Sequence, residues 1–133
     1  MDTSGNVYVT GWSNNGTTYD YKTVKYNANG NQLWEATYDG GLGDFAHSMD
    51  VDGSGNVVVT GRSNNGLDYD VVTVKYDTNG TQLWTAAYNG GSTDMGFRVK
   101  VDGSGNVYAG GATFNVTSND YLLIKYDSSG MFQ

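Results

Sequence analysis

Short apolar runs alternate with clusters of Gly, Asn, Asp and Ser along the whole chain, and the runs show a period of two. In one run Val74 and Tyr76 share a face while Lys75 lies on the other, which is typical of a β-strand. Val, Thr and Tyr dominate the runs, and no apolar stripe recurs at helical spacing. The pattern predicts ten strands joined by turns, and almost no helix.

The same pattern returns every 50 residues without insertion or deletion. Residues 2–7 (DTSGNV) reappear at 52–57 (DGSGNV) and again at 102–107 (DGSGNV). The first two copies are identical at 29 of 50 aligned positions, so the chain is predicted to be an array of repeated units. We predict one repeat domain over residues 1–133, with repeats at 2–51 and 52–101 and a truncated third repeat at 102–133.

Each complete repeat is predicted to hold four strands, A to D, in an up-and-down order. In the second repeat we expect them at residues 46–51, 56–61, 69–76 and 82–88. The A–B and C–D turns then lie on one rim, here called the turn rim, and the B–C and D–A connections lie on the opposite loop rim. Four-stranded sheets repeated radially form β-propellers. The predicted fold is therefore all-β, a partial β-propeller of about two and a half four-stranded antiparallel blades.

The repeat motif resembles a known family. The pattern V-D-x-S-G-N-V-x-V-T-G at residues 51–61, followed by x-V-K-Y-D-x-x-G-x-Q-L-W at 73–84, resembles the bacterial SBBP repeat of seven-bladed β-propellers, which is related to NHL-type repeats. The resemblance implies that strand A lies nearest the axis and strand D outermost. It also implies a scaffold without a common activity, so it carries over no catalytic residue. The third copy departs from the pattern at Ala109 and Gly110 and ends before the Leu-Trp of strand D.

The first predicted blade lacks strand A and the last lacks strand D. Open sheet edges and uncovered blade faces expose unpaired backbone and apolar surface. Two alternatives follow: either the repeats continue in a longer chain, or neighbouring copies complete one another in a ring or filament. We therefore expect the main partner to be the chain itself or adjacent repeats.

Charge and residue types exclude several functions. With 7 basic and 14 acidic residues, a net charge of -7 and no basic cluster, the chain is not expected to bind nucleic acid. It has no cysteine, which excludes disulfides and thiolate metal sites. No apolar run approaches the roughly 18 residues of a membrane span, and no signal peptide is recognisable. The abundance of Gly, Asn, Thr, Ser and Tyr predicts a secreted or cell-surface protein.

The candidate catalytic and metal-binding residues have simpler structural interpretations. His47 is the only histidine and aligns with Phe97, which indicates packing. The recurrence of Trp34 at Trp84 indicates packing between blades. The Asp-x-Ser-Gly-Asn turns offer oxygen ligands for Ca²⁺ but lack EF-hand spacing, so we interpret them as hairpin turns. Loop or turn roles are assigned to the recurrent Asp20, Asp70 and Asp120. We predict no enzyme, no cofactor and no metal site.

The longer connections of the loop rim vary between copies, and such loops commonly carry a binding surface. Their Asn, Asp, Thr and Gly content suits a protein partner or a hydroxyl-rich ligand. The preferred hypothesis is a non-catalytic, self-assembling module of an exported bacterial protein, and the alternative is a carbohydrate-binding, lectin-like module. The candidate rim residues are Trp12, Asn14, Asn15, Asp44, Arg62, Asn64, Asn65, Asp68, Asp94, Asn115 and Asn119.

Overall fold

In the computed structural model, which describes residues 1–133, the chain forms ten antiparallel strands and no helix. The strands are β1 (Val7–Asn14), β2 (Tyr19–Tyr26), β3 (Gln32–Tyr38), β4 (Asp44–Val51), β5 (Val57–Asn64), β6 (Tyr69–Tyr76), β7 (Gln82–Tyr88), β8 (Thr93–Val101), β9 (Val107–Phe114) and β10 (Asn119–Tyr126). This confirms the all-β prediction and the number of strands. The structure contains no helix that is long and apolar enough to cross a membrane.

The ten strands form three separate sheets, and in each sheet strands that follow one another in sequence are neighbours. The first sheet has the order β1-β2-β3, the second β4-β5-β6-β7 and the third β8-β9-β10. An isolated bridge between Tyr126 and Phe132 lies beside β10. The second sheet is therefore the one with the complete predicted set of four strands.

The predicted bounds of strands C and D in the second repeat agree with β6 and β7, whereas strands A and B are longer than predicted. The reason is that loop residues join the ladder, so that Asp44 pairs with Ser63 at the loop rim. A bulge between Ala46 and Ser48, which the sequence pattern did not predict, interrupts this pairing. It lies opposite Gly61, where a Cβ would approach a backbone oxygen of β4 to 2.0 Å. Glycine is therefore required where the bulged strand comes close.

The sheets stack face to face, so the core consists of two layers. We call the side of a sheet that faces the next sheet in sequence its forward face, and the opposite side its backward face. The first layer contains Tyr8, Tyr21, Ala46, Val57, Val59, Val72, Val74 and Tyr76. The second layer contains Val58, Val71, Val99, Val107, Ala109, Ile124 and Tyr126. Alternate residues of β5 and β6 belong to different layers, because side chains alternate across a strand and the second sheet is covered on both faces.

A tryptophan in the last strand of each of the first two sheets contacts the sheet that follows. Trp34 Nε1 donates a hydrogen bond to the Thr78 carbonyl at 2.9 Å, and Trp84 Nε1 donates to the Ser128 carbonyl at 3.2 Å. The Trp34 indole lies against Gly80, where a Cβ would be 2.8 Å from the ring. These contacts confirm the packing role predicted for both tryptophans.

Candidate functional site

The turn rim carries three copies of one Asp-x-Ser-Gly-Asn turn. In the second copy Asp52 Oδ1 accepts hydrogen bonds from the Ser54 and Asn56 amides, each at 2.9 Å, and Oδ2 accepts one from Asn56 Nδ2 at 2.9 Å. Lys75 Nζ lies 3.1 Å from the same Oδ2, and both side chains of this ion pair are buried. Burial acts to raise the pKa of Asp52, but the bonds from Asn56 and Lys75 outweigh it and lower the pKa. Both carboxylate oxygens are thus engaged in holding the turn.

The first turn repeats this arrangement in a more exposed setting. The Asn6 side-chain amide donates to Asp2 at 2.8 Å and the Tyr8 hydroxyl donates at 2.8 Å. These bonds, with Asn6 contributing most, lower the pKa of Asp2 to about 2. The pKa of Asp102 in the third turn is lowered chiefly by the corresponding bond from Asn106. In all three turns the aspartate therefore acts as a hydrogen-bond acceptor of the turn.

A polar cleft of about 500 Å³ opens between the turns of the first and second sheets. The basic residue in its wall is Lys25, whose Nζ donates to the Thr78 carbonyl at 3.4 Å and lies 5.1 Å from the centroid of the Tyr8 ring. The acidic residues Asp2 and Asp52 in the wall are held by their own turns. The charged side chains of the cleft are thus already engaged within the protein.

On the loop rim, several predicted ligand residues instead stabilise their own loops. Asn15 Oδ1 accepts hydrogen bonds from the Thr17 and Thr18 amides, each at 2.9 Å. Its Nδ2 donates to Asp20 Oδ2 at 2.8 Å. Asn14 Oδ1 accepts the Gly16 amide at 2.7 Å. The polar groups of this loop are therefore largely satisfied inside it.

The corresponding loops of the second and third repeats are built in the same way. Asn65 Oδ1 accepts the Asp68 amide at 3.0 Å, while its Nδ2 donates to Asp68 Oδ1 at 2.7 Å and to Asp70 Oδ2 at 3.0 Å. Asn64 accepts an amide of the same loop at 2.8 Å. Asn115 accepts the amides of its own loop, and Asn119 is exposed at the start of β10. Asn64, Asn65 and Asn115 are therefore loop-forming residues.

Trp12 and Arg62 occupy equivalent positions in β1 and β5 but make different contacts. Trp12 is 52% exposed and packs edge-on against Phe45 at 5.7 Å between ring centroids. The Arg62 guanidinium lies 4.9 Å from the ring centroids of both Phe45 and Tyr69. Phe45 thus joins an aromatic residue of the first sheet to a cation of the second.

His47 has the packing role that its alignment with Phe97 predicts. Its ring stacks on Phe97 with centroids 5.8 Å apart. Its Nδ1 lies 2.9 Å from the Gly96 carbonyl oxygen, and because a carbonyl can only accept, this nitrogen carries the proton. Both contacts join β4 to β8, so the histidine is an element of the junction between two sheets.

A cluster of carboxylates lies where the first sheet meets the second at the loop rim. Asp20 at the start of β2, Asp39 after β3 and Asp44 at the start of β4 each bring one oxygen within 4.8 Å of the others. We call this cluster the first junction site. Asp44 is fully buried; its Oδ2 accepts the Gly40 amide at 2.6 Å, whereas its Oδ1 has no hydrogen-bond partner. Burial raises the pKa of Asp44; the nearby Ser63 hydroxyl and the Gly40 amide act to lower it, and the charges of Asp20 and Asp39 add to the rise.

The second junction site repeats this arrangement between the second and third sheets. Asp70 of β6 and Asp94 of β8 take the places of the two buried aspartates, and Asn89 takes the place of the exposed one. Asp94 Oδ2 accepts the Gly90 amide at 2.5 Å. The remaining oxygen of Asp94 and Oδ1 of Asp70 are both buried and without a hydrogen-bond partner. Burial raises the pKa of Asp70, and the charge of Asp94 contributes.

A glycine allows the loop backbone to approach each site. At Gly40 a Cβ would lie 2.8 Å from Asp44 Oδ1 and 2.7 Å from Ser63 Oγ. At Gly90 a Cβ would lie 3.0 Å from both carboxylate oxygens of Asp94. Because the room for a Cβ is already filled by acceptor oxygens, the two glycines are part of the construction of the sites.

No basic side chain forms an ion pair with either junction site. The salt bridges of the structure are Lys22–Glu35, Lys75–Asp52 and Lys100–Asp50. Of the predicted rim residues, only Asp44 and Asp94 belong to these sites. Their partners Asp20 and Asp70, for which the sequence predicts loop or turn roles, also belong to these sites. Both pairs recur at a spacing of 50 residues, but the turn aspartates recur in the same way, so recurrence alone does not identify the sites.

The two outermost sheet faces are uncovered. On the backward face of the first sheet Val9 is 53% exposed, whereas its counterpart Val59 is fully buried in the first core layer. On the forward face of the third sheet Tyr121 is 93% exposed, whereas its counterpart Tyr21 is fully buried in that layer. Each uncovered face therefore corresponds to a face that another sheet covers inside the molecule.

Comparison with known proteins gives evidence on the fold alone. No family model and no curated protein matches the sequence. Among solved structures, the chain is similar to the crystal structure of a protein of unknown function from Bacteroides caccae, with a TM-score of 0.53 and 12% sequence identity. The match covers 92% of this chain and 44% of that chain, so the chain spans less than half the length of the protein it resembles.

Proposed function

We propose that the chain is a non-catalytic β-propeller repeat module that packs its uncovered faces against further copies of the same repeat. The supporting observation is that its two uncovered faces hold the same repeat positions as the two faces that meet at each internal junction. A second chain can supply these copies, and in a longer parent chain adjacent repeats supply them. The composition favours an exported or cell-surface setting. The SBBP-like motif supports a scaffold role.

One departure from the repeat weakens the proposed contact. On the backward face of the first sheet Lys22 Nζ and Glu35 Oε1 form an ion pair at 2.6 Å. The second sheet has Val72 and Thr85 at these positions. A polar outer face is typical of the terminal units of repeat arrays. Association through this face is thus expected to be weaker than the internal packing.

Light scattering behind a sizing column tests the proposal at micromolar concentration. We expect a dimer or larger assembly, which Val9→Lys or Leu123→Lys shifts toward monomer because each places a charge on a packing face. The control Leu67→Lys changes a residue that is 97% exposed in a B–C loop, away from both faces, and leaves the assembly intact. Replacing Lys22 and Glu35 together by Val and Thr is expected to strengthen the assembly. If the wild-type chain is a stable monomer and none of these substitutions changes its oligomeric state, self-assembly is contradicted.

The alternative of a carbohydrate-binding module has less support from the geometry. Its predicted hydrogen-bonding residues Asn15 and Asn65 are occupied within their loops. Trp12 is half-exposed, and its ring packs edge-on against Phe45. A glycan array with the wild-type chain and Asn14→Ala/Asn64→Ala compares the two functions, and rim-dependent binding would favour the lectin-like one.

A further inference from the structure

The two junction sites share a feature that the fold does not explain. Each contains two buried aspartates contributed by neighbouring sheets, and three of the four have a buried oxygen without a hydrogen-bond partner: Asp44, Asp70 and Asp94. A buried carboxylate that lacks partners is costly, because the charge has left water without compensation. The same arrangement nevertheless recurs in two successive repeats.

We infer that each junction site binds a Ca²⁺ ion that ties one sheet to the next. In the first site Asp20, Asp39 and Asp44 supply the carboxylate oxygens. In the second site the ligands are Asp70 and Asp94, and Asn89, whose side-chain oxygen also accepts the Gly91 amide at 2.7 Å, takes the third position by alignment with Asp39.

Both sites differ from the Asp52 turn of the opposite rim, where both carboxylate oxygens are engaged. In the junction sites Asp44, Asp70 and Asp94 each keep one buried oxygen without a partner. Asp20 completes the first site although its oxygens also accept hydrogen bonds from Asn15 Nδ2 and the Thr18 hydroxyl.

The chemistry of the ligand set favours Ca²⁺ over other metal ions. The sites contain only oxygen donors, with no thiolate or imidazole, which suits a hard cation. Ca²⁺ binds oxygens at about 2.3–2.6 Å, so two ligands on opposite sides of the ion lie about 5 Å apart. The oxygens of the first site lie within 4.8 Å of one another, which matches this span. The Ser63 hydroxyl next to Asp44 adds a further oxygen to the wall.

The third repeat supplies a natural control. Asp120 occupies the position of Asp20 and Asp70, but it is exposed and no following sheet brings an aspartate to it. The Ser118 hydroxyl donates to it at 2.9 Å. Asp120 therefore retains the sequence context of the sites without their geometry.

Thermal unfolding of the metal-free full chain tests the inference. With two sites of Kd around 10⁻³ M, we expect 10 mM CaCl₂ to raise the Tm by about 5 °C or more above a sample of equal ionic strength in NaCl. Asp44→Asn or Asp94→Asn removes about half of this increase, and the double variant removes all of it. Asp120→Asn retains the full increase.

Several outcomes overturn the inference. One is a wild-type Tm that CaCl₂ raises no more than NaCl does, which would mean that the paired carboxylates hold a proton instead of a metal. Others are an unchanged Ca²⁺ effect in the double variant, or its loss in Asp120→Asn. If the double variant does not fold, Tb³⁺ luminescence of the wild-type chain decides the question. Binding of two Tb³⁺ ions per chain that Ca²⁺ displaces supports the sites, whereas the absence of bound Tb³⁺ refutes them.

Discussion

The turn rim and the loop rim place the same residue type in opposite situations. On the turn rim Asp52 is contacted by two backbone amides, a side-chain amide and a buried ammonium group. On the loop rim Asp44 and Asp94 are buried more completely, yet each has only one occupied oxygen. Both kinds of aspartate recur with the repeat. Recurrence therefore does not separate these two situations, whereas the presence of a buried oxygen without a donor does.

The largest expected effect comes from removing one charge on the turn rim. Asp52→Asn leaves the Lys75 ammonium buried without its counter-charge, which costs about 3 kcal/mol in free energy of unfolding. Urea denaturation measures the loss. The control is Asp102→Asn, in an equivalent turn without a carboxylate–lysine ion pair, where we expect a clearly smaller loss. Equal losses in the two variants would show that the ion pair does not matter.

A methyl group added next to a junction site is expected to have the second largest effect. Gly40→Ala places a Cβ 2.7–2.8 Å from Ser63 Oγ and Asp44 Oδ1, and such overpacking costs about 2 kcal/mol. Gly53→Ala on the turn rim is the matched control, because its Cβ would have no neighbour within 4 Å. Thermal melts of the two variants measure the difference. Similar melting temperatures would contradict the close approach at Gly40.

The same Asp-to-Asn change is expected to have the opposite sign on the loop rim. Without metal, Asp94→Asn removes a buried charge whose Oδ1 has no partner and relieves its repulsion of the Asp70 carboxylate. We expect the metal-free chain to gain about 1 kcal/mol in free energy of unfolding. Urea denaturation in the presence of a chelator checks this. A loss comparable to that of Asp52→Asn would remove the distinction between the rims.

The smallest expected effect is a loss of stability at acidic pH that comes from the aspartates of the turn rim. The pKa of Asp2 is lowered from 3.8 to about 2, and the pKa values of Asp52 and Asp102 are also lowered. A carboxyl with a lowered folded pKa stabilises the fold fully above its unfolded pKa and loses this contribution as pH falls through the folded value. The urea midpoint should therefore fall between pH 4 and about pH 2. Asp102→Asn should make this decline shallower, and an unchanged slope would contradict the contribution of Asp102 to the acid sensitivity.

Much of the fold could be predicted from the sequence, because it depends on local patterns. Alternation in runs such as Val74–Tyr76 indicated the strands and their faces, and the 50-residue period located equivalent elements. The extension of β4 to Asp44 and the bulge after Ala46 could not be predicted, since both depend on how loop residues pair across the sheet. Local sequence carries no direct signal for that pairing.

The candidate site was predicted less well than the fold. Asp44 and Asp94 were named as rim residues, but their convergence with Asp20 and Asp70 depends on the stacking of two sheets. The variation of their loops between copies predicts a binding surface at Asn15 and its equivalents. In the structure they hold those loops together. Variation outside the repeat motif thus did not mean that the side chains were free.

The contacts of Trp34 and Trp84 bear on the order of local opening. Each indole bonds to a turn of the following sheet, so one tryptophan contact links each pair of neighbouring sheets. In a linear array such nearest-neighbour coupling makes the unit with two neighbours the most stable. Amide hydrogen exchange should therefore be slowest in β5 and β6, which are covered on both sides, and faster in the first and third sheets, which are each covered on one side.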